Sequence, residues 1–244
     1  MSGSILRRAL ALMAVLLMLN TAVVSAQVSG GMKGDPAATE EAEPEETTGG
    51  SGPCWPENGT DPVTDPEEAG LVGRRAYESP QFGYAVDWTR DWVLDEYFET
   101  PVISFPTEEQ DALCLWLDDE SLYAYLYVIG QTASRGGPDA DLEEWTDEDY
   151  IANQWPDLEV EVVIADANRD SAEVVYHLVD PVDDLEYYTT YISIELDDES
   201  MIYITFVTDA ASFEDAYQMV AEDVVLDGES MFGVIDWEDI EAEL

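Results

Sequence analysis

Past about residue 77 the chain alternates short apolar and aromatic runs with polar, mostly acidic, punctuation. Residues 82–88 and 92–94 read as short strands around a Thr89-Arg90-Asp91 turn. Residues 112–117 and 122–129 flank Asp118-Asp119-Glu120-Ser121, a polar interruption suited to a hairpin. Residues 158–165, 172–179, 187–196 and 201–208 read as further strands, the last two again joined by an acidic turn. These runs are rich in Val, Ile, Tyr and Thr, which fit a pleated and partly buried surface. Within 122–129, Tyr123, Tyr125 and Tyr127 alternate with Leu122, Ala124, Leu126 and Val128, so the phenols share one sheet face. Such a stripe serves either as a ligand-stacking surface or as the floor for a packed helix; packing is the expectation.

Two helices are expected among the strands. Ser212 with Asp215 three residues on forms a capping-box pattern. Phe213, Ala216, Tyr217, Val220, Ala221, Val224 and Val225 follow at helical spacing, and Gly228 can end the run. An earlier helix lies between Asp141 and Trp155, capped by Asp141 or Thr146 and stopped by Pro156. Consecutive hairpins with helices inserted imply an α+β fold, an antiparallel sheet with helices packed on its faces.

The first 76 residues follow neither period. Arg7 and Arg8 precede an apolar run, and Val24-Ser25-Ala26 fits a signal-peptidase site, so residues 1–26 read as a signal peptide cleaved near Ala26. The alternative is an uncleaved anchor, but Asn20-Thr21 leaves the unbroken run well short of the ~20 residues a span requires. The expectation is a secreted or extracytoplasmic protein with no stable membrane span. Arg7-Arg8 also admits twin-arginine export, although Leu6 stands where a Ser or Thr is usual. Residues 27–76 are rich in Gly, Pro, Ser, Thr, Glu and Asp, with a like-charge block around Glu40-Glu41-Ala42-Glu43, and read as a disordered acidic linker. Residues 77–244 are the domain.

Charge narrows the function classes. The 244-residue chain carries 56 Asp+Glu against 8 Lys+Arg, a net charge of −48. Nucleic-acid binding is excluded as a main role, because gripping phosphates needs clustered basic residues. A basic lipid anchor is disfavoured for the same reason. The acids punctuate turns, helix faces and both ends of the domain, a surface of the kind suited to high salt, where screening relieves self-repulsion.

Candidate chemistry is sparse. Export makes a disulfide between Cys54 and Cys114 the expectation over a buried Cys114 and an idle Cys54. Asn58-Gly59-Thr60 is a glycosylation sequon. Leu117-Asp118-Asp119-Glu120-Ser121 recurs as Leu196-Asp197-Asp198-Glu199-Ser200. These acids are either solvated turns or oxygen ligands for Ca²⁺, the one cofactor considered. Asp139, Asp141 and Glu143 imitate the start of an EF-hand loop, but Glu144 and Tyr150 stand where Gly and Glu are required. His177 is the only histidine and has no companion ligands or nucleophile motif, so an ordinary strand histidine is expected. No residue is singled out as catalytic or cofactor-binding.

Tyr77-Glu78-Ser79-Pro80-Gln81-Phe82-Gly83-Tyr84, running through Ala85-Val86-Asp87-Trp88 to Trp92, resembles the opening of PsbP-like domains. The late strand pair followed by a helix led by Phe213 is similar to that family as well. The resemblance covers residues 77–244 and implies an exported α/β/α sandwich with a binding or assembly role. Plant and cyanobacterial members attach to photosystem II. This chain departs from them in its acidic tether, near absence of lysine and tail at 231–244, so no photosynthetic role is carried over. The expectation is a non-catalytic module for an unknown protein or small ligand at the cell surface. The alternatives are an extracellular hydrolase using paired carboxylates and a calcium-binding surface protein.

Overall fold

A computed structural model of the protein describes residues 70–89, 92–94, 110–117, 122, 124–132, 136–196 and 200–244. The signal segment, most of the tether, Cys54, Asn58, Tyr123 and the acids Asp118, Asp119, Glu120, Asp197, Asp198 and Glu199 lie outside them.

The strands are β1 (Leu71–Gly73), β2 (Ala76–Glu78), β3 (Ala85–Trp88), β4 (Trp92–Leu94), β5 (Gln110–Leu117) and β6 (Ala124–Thr132). Helices α1 (Gly137–Trp145) and α2 (Glu148–Gln154) follow, then β7 (Glu159–Ala167), β8 (Ser171–Asp180), β9 (Leu185–Glu195) and β10 (Ser200–Asp209). The chain ends with α3 (Phe213–Asp223), β11 (Val224–Leu226), β12 (Glu229–Ser230) and α4 (Trp237–Glu243). A seven-stranded sheet runs β4-β5-β6-β10-β9-β8-β7 and a five-stranded sheet β1-β2-β3-β11-β12. Every pairing is antiparallel. The fold is α+β, with helices on both faces of the larger sheet, as the alternation of strands and helices implies.

Period-2 patterning divides that sheet between two interiors. One joins Leu113, Leu115, Leu126, Val128, Val175, Ile192, Ile204 and Phe206 to α3, Ile240 of α4 and the small sheet's Tyr77, Val86 and Trp88. The opposite interior joins Cys114, Tyr125, Tyr127, Val174, Tyr176, Leu178 and Tyr191 to Trp145 and Trp155, which the α1–α2 pair delivers. Tyr125 and Tyr127, with ring centroids 4.5 Å apart, are thus buried as packing residues. Cross-strand registers such as Leu115↔Leu126 and Ile204↔Ile192 keep like faces together.

Several local expectations are corrected. Residues 82–84 belong to a turn: the Ser79 hydroxyl accepts from Phe82 N at 2.8 Å, and Gly83 takes a left-handed φ of 71°. Strand β3 therefore starts at Ala85. It does not form a hairpin with β4, because β3 joins the small sheet and β4 pairs with β5. Strand β1 and the turn after it fall within the 27–76 stretch that reads as linker.

The middle helix is two. Thr146 closes α1, and Asp147, rather than Asp141 or Thr146, caps α2 by accepting from Asp149 N and Tyr150 N at 3.0 Å each. The late helix stops at Asp223, since Val224 and Val225 pair with Trp88 and Asp87 of β3 as strand. Ser212 is helical, makes no side-chain cap bond and ends a 3₁₀ turn that feeds α3. Gly228, with φ 84°, serves the β11–β12 turn instead of a helix end. Helix α4 has no counterpart in the sequence reading.

Candidate functional site

Among the described acids, Glu173 is one whose chemistry folding changes. Strand alternation puts it on the same face of β8 as Val175, paired with Asp166 of β7 and Ile192 of β9. That face is covered by α3 and the tail, so Glu173 is fully buried. Helix α3 presents Tyr217, whose hydroxyl lies 3.2 Å from Glu173 Oε1 and 3.4 Å from the Ile235 carbonyl oxygen. The Ile235 N–H donates to Glu173 Oε2 at 3.2 Å. Stacking of Tyr217 on Phe232, with centroids 4.1 Å apart, and its contact with Trp237 at 5.2 Å fix the ring from the tail side.

Burial pushes the Glu173 carboxyl up to about 7, while hydrogen bonds from Ile235, Tyr217, Val234 and Gly233 pull the other way. The tyrosine is raised in turn by burial first, then by Glu173 and Asp236, so it stays a neutral phenol. With no exposed surface and both oxygens engaged, Glu173 can hold or release a proton but meets no substrate.

A second buried acid, Asp141, points from α1 into the opposite interior, with Tyr203 Oη 3.3 Å from its Oδ1. Nearby, the Tyr176 hydroxyl donates to the Trp145 carbonyl at 2.8 Å. Burial raises Tyr150, Tyr176 and Tyr191 well out of the ionising range, and neighbouring acids add to this for Tyr150. Glu173 and Asp141 stand on opposite faces of one sheet and cannot act together as an acid–base pair.

His177 lies near the rim of the Glu173 face. Its ring stacks on Tyr188 with centroids 4.8 Å apart, and Nε2 is 3.3 Å from Glu186 Oε2. Tyr188 stacks on Phe213 in turn at 4.1 Å. This is a strand histidine packed on an aromatic ledge. Among the described residues no group of three His, Cys, Asp or Glu side chains is placed to hold a metal. Asp139 and Glu143 lie within α1, not in an ion-binding loop.

Cys114 is buried on the Tyr125/Tyr127 face and is disulfide-bonded. No described helix is long and apolar enough to cross a membrane. Sequence reading missed Glu173 because it is one acid among many. The available signal was its position in register with Val175 inside an otherwise apolar strand.

No protein-family model matches the chain, and no curated protein matches it. Among solved structures it is similar to the Saccharomyces cerevisiae Ran-binding protein Mog1p, with a TM-score of 0.40 and 8% identity. The match covers 64% of this chain and 96% of that one. A likeness this loose equates no residues of the two proteins.

Proposed function

We propose that the chain is an exported, non-catalytic binding or assembly module: a PsbP-like domain held at the cell surface by an acidic tether. The observation that supports this reading best is how the larger sheet spends its chemistry. Both faces are covered, and the two buried acids among the described residues, Glu173 of β8 and Asp141 of α1, sit on opposite sides of it, each beside a tyrosine hydroxyl. What the domain offers outward is a surface dense in carboxylates, with few basic residues to neutralise them. Such a surface selects partners of complementary charge and steers their approach. In this reading residues 1–26 are removed on export, and Cys54 pairs with Cys114 to fasten the tether to the helix-covered face. Cys114 is disulfide-bonded and Cys54 is the chain's other cysteine, which supports the pairing.

The test has two arms. Expressed with its own leader in an exporting host, the chain should be recovered outside the cytoplasm beginning at Gln27, with a Cys54–Cys114 peptide that separates on reduction. Crosslinking on intact cells at native ionic strength should then yield a partner that binds the purified domain again by calorimetry. A turnover that disappears on substituting specific domain residues would overturn the reading in favour of an enzyme.

A further inference from the structure

Hydrogen-bond counting at Glu173 points to a device in the tail. The Tyr217 hydroxyl has one hydrogen but two acceptors in reach, Glu173 Oε1 at 3.2 Å and Ile235 O at 3.4 Å. If Glu173 is ionised, that hydrogen goes to the carboxylate and the Ile235 carbonyl loses it. If Glu173 carries a proton, a ring closes. Glu173 donates to the Tyr217 oxygen, Tyr217 donates to Ile235 O, and Ile235 N–H donates back to Glu173 Oε2. Every member is then satisfied: two of the bonds clasp the tail, one to α3 and one to β8, and the third ties α3 to β8. The tail is otherwise held by Met231, Phe232, Ile235 and Ile240, all buried in the same interior.

We infer that protonated Glu173 is a clasp for residues 231–244, and that loss of its proton to water is coupled to opening of this segment from the sheet. Burial is what favours the protonated form. From β7 the paired residue is Asp166, exposed and bonded to Ala167 N; from β9 it is Ile192. From α3 it is Tyr217; from the tail come Asp236 and, in the first turn of α4, Glu238 and Asp239. On β8 itself, His177 is the next titratable residue of that face and turns to Glu186 and Tyr188 instead. These neighbours are acids and a phenol, with no lysine or arginine among them. Only the N–H groups of Gly233, Val234 and Ile235 and the Tyr217 hydroxyl favour the anion, and burial outweighs them.

Hydrogen exchange on the purified protein, corrected for intrinsic rates, reads the clasp directly. Between about pH 5 and about pH 8 the opened population of 231–244 should rise at least about tenfold, with a ceiling of ~70-fold, while β9 and β10 stay better protected than the tail at each pH. Glu173→Gln, which cannot ionise, should remove this pH dependence. Tyr217→Phe breaks the ring without touching the acid, and should lower protection at about pH 5 toward the wild-type value at about pH 8. A carbon-13 titration of the glutamate carboxyls in the wild-type protein needs no variant to fold and should show one group titrating near 7. Tail exchange independent of pH, a pH dependence that survives Glu173→Gln, Tyr217→Phe behaving as wild type, or all glutamates titrating near 4.5 would each overturn the inference.

Discussion

Strand β8 has one polar anchor on each side. Toward α1 and α2, Tyr176 is buried and its hydroxyl meets a backbone carbonyl. Toward α3 and the tail, Glu173 is buried just as completely but brings an ionisable group. A neutral dipole satisfied by a carbonyl supports the fold equally at any pH. A buried carboxyl makes proton binding part of folding. Equal depth therefore gives one anchor of constant strength and another whose strength follows pH.

The largest effects should come from removing the aromatic bulk of each interior. Trp155→Ala and Phe206→Ala, both fully buried, should each cost about 3–5 kcal/mol in denaturant unfolding. Comparable losses would show that the two interiors melt as one unit. A loss below about 1 kcal/mol at Trp155 alone would place the α1–α2 layer outside that unit.

Glu173 gives the next effect, and its sign follows from the direction of the shift. Its folded pKa is raised from 4.5 to about 7, so the native state holds the proton more tightly than the unfolded chain. The associated stability is fully present below 4.5 and is lost as pH rises through about 7. The loss should reach about 3 kcal/mol. Other carboxyls also lose protons over this range and add self-repulsion, so the quantity to measure is wild type minus Glu173→Gln at each pH. Tyr176→Phe should behave differently, costing about 1–2 kcal/mol by orphaning the Trp145 carbonyl. That cost should be flat with pH; a slope matching that of Glu173 would collapse the distinction between the two sides.

Strands β5 to β10 were legible because their apolar residues recur every second position and their β-branched content fits a sheet. The expected and observed limits differ by only a few residues. What was not legible depends on contacts made far along the chain. Tyr217 and Ile235 reach Glu173 from 44 and 62 residues away, so nothing local marks this acid as buried. The small sheet is similar: Ala85 N donates to Asp227 Oδ1 across 142 residues, and β3 finds its partner in β11, not in the neighbouring β4. Val224 and Val225 continue the spacing of α3, yet that partner draws them into strand. The α1–α2 break failed for a shorter-range reason. Several residues there could cap a helix, and the choice of Asp147 is made by backbone geometry.

Salt offers the smallest and most discriminating test. The excess of acids repels itself across the whole surface, and raising ionic strength from about 0.01 M to about 1 M shortens the screening length from roughly 30 Å to roughly 3 Å. The melting temperature of the protein should rise over that range; a salt-independent melt would show that the exposed acids exert no net strain on the fold. The stability difference between wild type and Glu173→Gln at about pH 8 should barely move, because this carboxyl is held up by burial rather than by neighbouring charge. If added salt erased that difference, long-range repulsion from the acidic surface, and not the dry contact with Tyr217 and Ile235, would be what resists ionisation of Glu173.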